Sequence, residues 1–372
     1  MGYQMGGKQV PQRSEMKIAI ILGTRPEIIK LSPLIRECEK RQLDYFILHT
    51  NQHYSVGMDK QFFDELNLPQ PRYNLNVHDL PQGAMVGTML LGIEPILVKE
   101  KPDWVLVQGD TNTVMAGAIA GSKIGIKVGH VEAGLRSYDH SMPEELNRVV
   151  ADHLSDALFC PTSNSAKIAL GEGISSDKVV ITGNTIVDAV YQNLTLAQHS
   201  VLAQKYQHQQ YLLLTMHRPS NVDTSTTLSQ AISSLEVLSD KLKVPIIFPI
   251  HPRTADALKR FQITPNPAKI KIIDPVGYLE MLLLMECAKL IITDSGGIQE
   301  EACILRIPCI TIRDNTERPE TVEVGANLVV GTIRESVTSG ADKMLAREKN
   351  WSNPFGDGQS SAKIIDFITS PE

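Results

Sequence analysis

Cysteine is scarce: five residues (Cys38, Cys160, Cys287, Cys303 and Cys309) in a chain of 372, with no Cys-x-x-Cys pair. Such an odd, scattered set excludes a disulfide framework and offers no spacing for a structural zinc. It fits a reducing, cytoplasmic setting and a site without metal. Long apolar runs are also missing. The longest, such as residues 278–288, carry charges and fall short of the ~20 residues a membrane span needs, so no membrane partner is expected. No charge of one sign dominates. The 36 basic residues stand against 42 acidic ones, a net charge of −6 that disfavours a protein coating nucleic acid. The first fifteen residues are polar and glycine-containing without an apolar h-region, so residues 1–15 read as a loose lead outside the fold and not as a secretory signal. The usual fingerprints of nucleotide and nucleophile chemistry are absent too. There is no G-x-x-x-x-G-K-[ST] loop, no G-x-G-x-x-G after the first apolar run and no G-x-S-x-G, which argues against a P-loop nucleotidase, a standard dinucleotide-binding dehydrogenase and a Ser-nucleophile enzyme.

What is present is an ordered, globular composition, 42% hydrophobic and 21% charged, in a chain long enough for about two to three domains. Short Ile/Val-rich runs recur at residues 17–22, 45–48, 104–107, 127–131, 157–160 and 179–181. Most are followed by a segment of helical period, the first a helix from Glu27 to about Arg41. Several runs are apolar at every position, the pattern of strands buried on both faces of a parallel sheet. The alternation pauses over the Gln-rich residues 193–210 and restarts at 211–214, 245–250, 270–273, 290–293, 308–312 and 328–330. The expected architecture is therefore α/β, with two doubly wound, Rossmann-like domains facing a cleft. They span residues 16–190 and 191–355, and an amphipathic C-terminal helix within 356–372 crosses back onto the first.

In open parallel sheets, ligands bind beyond the carboxyl ends of the strands. The residues there are polar and ionisable throughout: Gly23 to Glu27, Gly109 to Asn112 and Glu132 to Arg136 in the first half; Met216 to Arg218, His251 to Arg253, Asp294 to Gly297 and Arg313-Asp314 in the second. The segment TDSGGIQEEA (293–302) is the most telling. Its glycines allow close backbone approach, and the helix that follows directs unsatisfied N–H groups and a positive dipole end outward, which makes an anion site suited to a phosphate. Glu301, about one turn in, is placed to accept hydrogen bonds from ribose hydroxyls. The bland alternative is a Ser N-cap with carboxylates in the first turn. Arg25 and Lys30 offer cations to a diphosphate across the cleft. Asp110, Glu132 and Glu144 are candidates for proton transfer, although Glu144 and Arg148 also make an ordinary i,i+4 helix pair. His217 is the best-placed histidine. Carboxylates with a His and several Arg suit acid–base chemistry on a phosphorylated substrate.

Seven segments carry a family likeness. GTRPEIIKLSPL (23–34), QGDTNTV (108–114), HVEAGLRS (130–137), MPEELNR (142–148), TMHRPSN (215–221), DSGGIQEEA (294–302) and RDNTERPE (313–320) resemble, in order and from about residue 16 to the C-terminus, the non-hydrolysing UDP-N-acetylglucosamine 2-epimerases. The resemblance implies the two-domain glycosyltransferase-B fold, a homodimer, no cofactor, and inversion at C2 of the UDP-sugar by elimination of UDP to a 2-acetamidoglucal and re-addition. It places Asp110, Glu132 and Glu144 in acid/base positions and His217 at the diphosphate and leaving group. Arg25 and Lys30 take nucleotide contacts, Ser295, Gly296 and Gly297 the diphosphate, Glu301 the ribose and Arg318 the substrate, with the uracil pocket near 276–281 and Met281 within it.

The segment HTNQHYS (49–55) departs from the QHRE-like segment that helps build a second, regulatory UDP-GlcNAc site in some relatives, so that site is not carried over. The same segment resembles relatives acting on diacetamido-uronic acid sugars. The alternatives left open are an epimerase of such a sugar, a hydrolysing epimerase releasing ManNAc and UDP, a glycosyltransferase, and a catalytically silent nucleotide-sugar sensor.

Overall fold

The computed structural model describes residues 16–52, 56–198 and 205–370. Residues 1–15 and residues 53–55 of the divergent segment lie outside these.

Two all-parallel sheets form the frame. The first runs β3-β2-β1-β4-β5-β6-β7, from β1 (Lys17–Leu22), β2 (Asp44–His49), β3 (Tyr73–Asn74), β4 (Trp104–Gln108), β5 (Lys127–Val131), β6 (Ala157–Cys160) and β7 (Val179–Ile181). The second runs β10-β9-β8-β11-β12-β13, from β8 (Leu212–Thr215), β9 (Ile246–Pro249), β10 (Ile270–Ile273), β11 (Leu290–Thr293), β12 (Cys309–Thr311) and β13 (Asn327–Val329). Each order reverses once, between β1 and β4 and between β8 and β11, which opens a crevice at the strand ends there. Twelve of these strands stand where the apolar runs do. Two sequence expectations need amendment. The two-residue strand β3 carries no apolar run and was invisible. Residues 193–197 belong to a helix, Thr185–Ala197, in place of a polar connection, because its Ile186, Val187, Ala189 and Val190 pack with Leu282, Cys303 and Ile304 of the second half and with Ile29 of the first.

The continuous apolar strands have a simple cause. Along β1, Ile18, Ile20 and Leu22 pack into the core on one face of the sheet, and Ala19 and Ile21 into the core on the other. With helices on both faces, polar positions in the strands are few and hydrogen-bonded. The C-terminal helix Ser360–Thr369 does cross back. Its Ile364, Ile365 and Ile368 are buried in the core of the first half, and Arg41 pairs with Asp366 at 2.6 Å. Truncating Ile365 leaves a cavity in that core, so Ile365→Ala should lower unfolding free energy by about 2–4 kcal/mol in urea titration. A change under about 0.5 kcal/mol would show that the crossing helix is not part of the cooperative unit.

Candidate active site

Between the carboxyl edges of the two sheets lies a cleft of about 490 Å³, a normal size for a small-molecule site. The topology explains its position: Thr24 and Asp110 follow β1 and β4, and Ser295 follows β11, all beside the points where strand order reverses. Lys30, Glu132, Asp110 and Glu27 line it from the first half, and Met281, Ser295, Gly297, Glu300, Glu301 and Arg318 from the second.

Glu132 stands just past β5 with φ +68°, an unusual backbone for a side chain of this size. Its Oε2 is 2.5 Å from Lys30 Nζ and accepts from Gln108 Nε2 at 2.9 Å. Burial alone would push the Glu132 carboxyl up, but the charges of Lys30, Arg318 and Arg148 hold it below the usual carboxylate range. Burial would likewise depress the Lys30 ammonium, yet Glu132 and Glu300 keep it charged. Asp110 is half-exposed to the cleft and ion-paired with Arg148, whose other partner is Glu145 at 2.9 Å. The i,i+4 pair expected between Glu144 and Arg148 is therefore replaced by a cross-loop pair with Asp110 and an i,i+3 pair with Glu145. Helical geometry allows i,i+3 and i,i+4 alike; the loop holding Asp110 decides between them.

On the second half, the helix Gly296–Ile304 begins at the cleft. Ser295 sits at its N-cap but makes no side-chain cap bond, so the simple N-cap reading is not what the residue does. A Cβ added at Gly297 would meet nothing within 4 Å, so that glycine is not demanded by internal packing; it keeps the entrance to the helix N-terminus open. Glu301 is buried and pushed up to about 7 by burial, with Glu300 adding to the rise. Arg318 lies 2.7 Å from Glu300 through its Nε, and that carboxylate is the largest influence keeping the guanidinium charged despite burial.

Four of the expected residues stand outside the cleft lining. Glu144 is exposed on the first turn of the helix Pro143–Leu154. His217 lies at the end of β8 with Nδ1 3.3 Å from the buried Asp294, which also accepts the backbone N–H groups of His217 (2.9 Å) and Arg218 (2.8 Å). Its ring is 5.2 Å from that of His251. Arg25 rests its guanidinium over the Phe62 ring at 5.5 Å. Gly296 lies beside Gly297 at the helix start. Conversely, Glu27 and Glu300 line the cleft without having been singled out. Both sit inside quoted motifs, but a carboxylate in the first turns of a helix reads as dipole stabilisation, and only their burial (2% and 3% exposed) marks them as part of the site.

Fold and site together define an α/β protein of two parallel sheets with a cleft between them lined by carboxylates, Lys30 and Arg318. Residues 36–369 match the UDP-N-acetylglucosamine 2-epimerase family. The UDP-N-acetylglucosamine 2-epimerase of Methanocaldococcus jannaschii is 54% identical over 95% of this chain and 99% of its own. A crystal structure of that organism's enzyme in complex with UDP-GlcNAc and UDP superposes with a TM-score of 0.83, over 95% of this chain and 99% of that one. A UDP-2,3-diacetamido-2,3-dideoxy-D-glucuronate 2-epimerase of Pseudomonas aeruginosa is 38% identical over 95% of this chain and 99% of its own. The chain belongs to the UDP-N-acetylglucosamine 2-epimerase family.

Glu27 supplies a test of the site's electrostatics. Its carboxyl accepts from Gly23 N (2.9 Å) and from the Thr111 hydroxyl (2.7 Å), yet burial pushes it up to about 7 from an ordinary 4.5. The native state thus holds a proton that the unfolded chain releases between those values, and stability falls as pH rises through that window. The stability of Glu27→Gln relative to the unaltered chain should therefore improve by about 2–3 kcal/mol between pH 5 and pH 8. A difference independent of pH would place the Glu27 carboxyl at its ordinary value.

Proposed function

We propose that the protein interconverts UDP-GlcNAc and UDP-ManNAc by inversion at C2. The observation that carries this reading is the meeting, in one cleft, of two carboxylates from the first sheet, Asp110 and Glu132, with the open helix N-terminus at Ser295 and Gly297 of the second. The C2 hydrogen of the sugar is not beside a carbonyl and is hard to remove alone. As the C1–O bond to UDP breaks, positive character at C1 acidifies it. A carboxylate takes the proton, the electron pair forms the C1–C2 double bond, and UDP leaves with the C1–O pair. Return of a proton to the opposite face of C2 and re-addition of UDP at C1 complete the inversion. Such a site needs an anion cradle for the leaving group and acid–base groups near both faces of C2.

In this reading Asp110, Glu132 and Glu144 share the proton transfers, with Glu144 brought in from its exposed position as the halves close. His217, held by Asp294, supports the departing diphosphate together with Arg25, Lys30, Ser295, Gly296 and Gly297. Glu301 receives the ribose, Met281 lies against the uracil, and Arg318 contacts the substrate. The two halves, 16–190 with the tail from 356 and 191–355, close on the substrate and retain the glycal. The reaction calls for no cofactor. Free thiols at all five cysteines suit the cytoplasm. A second copy is the expected partner: Leu91, 80% exposed, and Val98 give the helix Gln82–Glu100 an uncovered apolar face. Sedimentation should return the mass of a dimer; a monomer at micromolar concentration would refute that part.

Incubation in D2O with a panel of UDP-sugars should introduce deuterium at C2 of UDP-GlcNAc and leave a mixture of two nucleotide sugars. Accumulation of free ManNAc would favour a hydrolysing enzyme, and exchange confined to a diacetamido-uronic acid sugar would reassign the substrate. Absence of exchange with every UDP-sugar would defeat the proposal. Glu132→Gln should cut turnover by at least about 100-fold while UDP still binds; undiminished turnover would remove Glu132 from its role.

A further inference from the structure

The segment HVEAGLRS contains a histidine that the mechanism leaves unassigned. His130 is the penultimate residue of β5, fully buried and outside the cleft lining. Its Nδ1 lies 2.6 Å from Asp152 Oδ1, and its Nε2 lies 2.8 Å from the carbonyl oxygen of Gly109. A carbonyl can only accept. Asp152 already accepts from Gly134 N at 3.1 Å and from Arg136 Nη1 at 2.6 Å, as an ionised carboxylate does. Both ring nitrogens must then donate, so the ring is an imidazolium. Its charge is balanced locally, because Arg136 also makes two bonds to Glu172, at 2.8 and 2.6 Å.

These bonds converge on the two turns that carry the candidate acid–base groups. Gly109 precedes Asp110, and its carbonyl belongs to the peptide unit that leads into that residue. Gly134 follows Glu132 by two. Gly109, Glu132 and Gly134 all have left-handed backbones, with φ of +86°, +68° and +77°. Left-handed backbone at a non-glycine such as Glu132 persists only where the surroundings over-determine it. A glycine is required at 134 in addition because a Cβ there would sit 2.3 Å from the carbonyl oxygen of Ser165. The cluster His130, Asp152 and Arg136 supplies that determination from beneath, tying helix Pro143–Leu154 to both turns at once.

We infer that His130 is a positioning residue: as a doubly donating imidazolium braced by Asp152, it holds the Gly109–Asp110 peptide and, through Asp152, the turn after Glu132 in the geometry proton transfer needs. The inference rests on the proposed epimerase reading for its kinetic arm; the helix N-terminus at Ser295 and Gly297 and the Glu301 carboxyl, proposed for the diphosphate and ribose, lie on the other half, away from His130. His130→Leu should lower kcat with UDP-GlcNAc by about 100-fold while the Kd for UDP, measured by calorimetry, stays within about threefold. His130→Gln, whose amide can still donate to Gly109, should retain about tenfold more turnover than the Leu variant. Unchanged kcat in His130→Leu, or equal losses in both variants accompanied by lost UDP binding, would overturn the positioning role. A second arm needs no variant and no turnover. Nitrogen-15 spectra of the unaltered chain at pH 8 should show both His130 ring nitrogens protonated, and a single protonated nitrogen would overturn it. If the unaltered chain turns over no UDP-sugar, the functional reading fails while the spectral arm still decides the state of His130.

Discussion

The contact between Lys30 and Glu132, 2.5 Å apart and largely shielded from water, organises the cleft. Neither charge could be buried alone at tolerable cost. Lys30 comes from the helix after β1 and Glu132 from the turn after β5, so the pair is possible only once the sheet has brought those strands into one layer. Arg318 and Glu300 complete the arrangement from the second half: Glu300 acts on Lys30, and Arg318 on Glu132. Alternating charges let the two halves meet across the cleft through polar groups, beside the apolar contacts made by helix Thr185–Ala197. The same alternation sets Lys30 and Arg318 among the carboxylates of the cleft lining.

That boundary sits where it does because of chain topology. Both sheets repeat one winding order, and each leaves its crevice where the order reverses. The turns at these points carry the chemistry because strand ends are the positions where backbone can leave the hydrogen-bonded ladder. Glycines and one strained glutamate make those turns tight, and hydrogen bonds from buried groups beneath them keep them so. In the second half Asp294 plays a comparable part, accepting from the backbone of His217 and Arg218 and from the side chain of Asn221.

Much of this was legible in the residues. The apolar runs located all but the shortest strand because burial on both faces favours apolar residues at most strand positions. The motifs near strand ends hold Lys30, Asp110, Glu132, Ser295, Gly297, Glu301 and Arg318, which line one cleft because α/β topology sends strand ends to the same rim; Met281, expected there from the family resemblance alone, lines it from the helix Tyr278–Glu286. Periodicity could not show which carboxylates of a motif point inward. In MPEELNR, Glu144 is exposed and its neighbour Glu145 is buried against Ser137 and Arg148. One residue is a 100° turn of the helix, and only packing decides which face meets the protein.

The sequence by itself determined the strand–helix alternation, the two-sheet class, the crossing C-terminal helix and the set of polar groups at the strand ends. These follow from local patterns of hydrophobicity and from turn chemistry. Tertiary structure alone decided which charges pair, which carboxylates lose their water, and that Glu27 and Glu301 ionise only near neutrality. It also decided that His130 is locked between a carboxylate and a carbonyl. Pairing and desolvation depend on distances between residues far apart in the chain, and no local pattern records them.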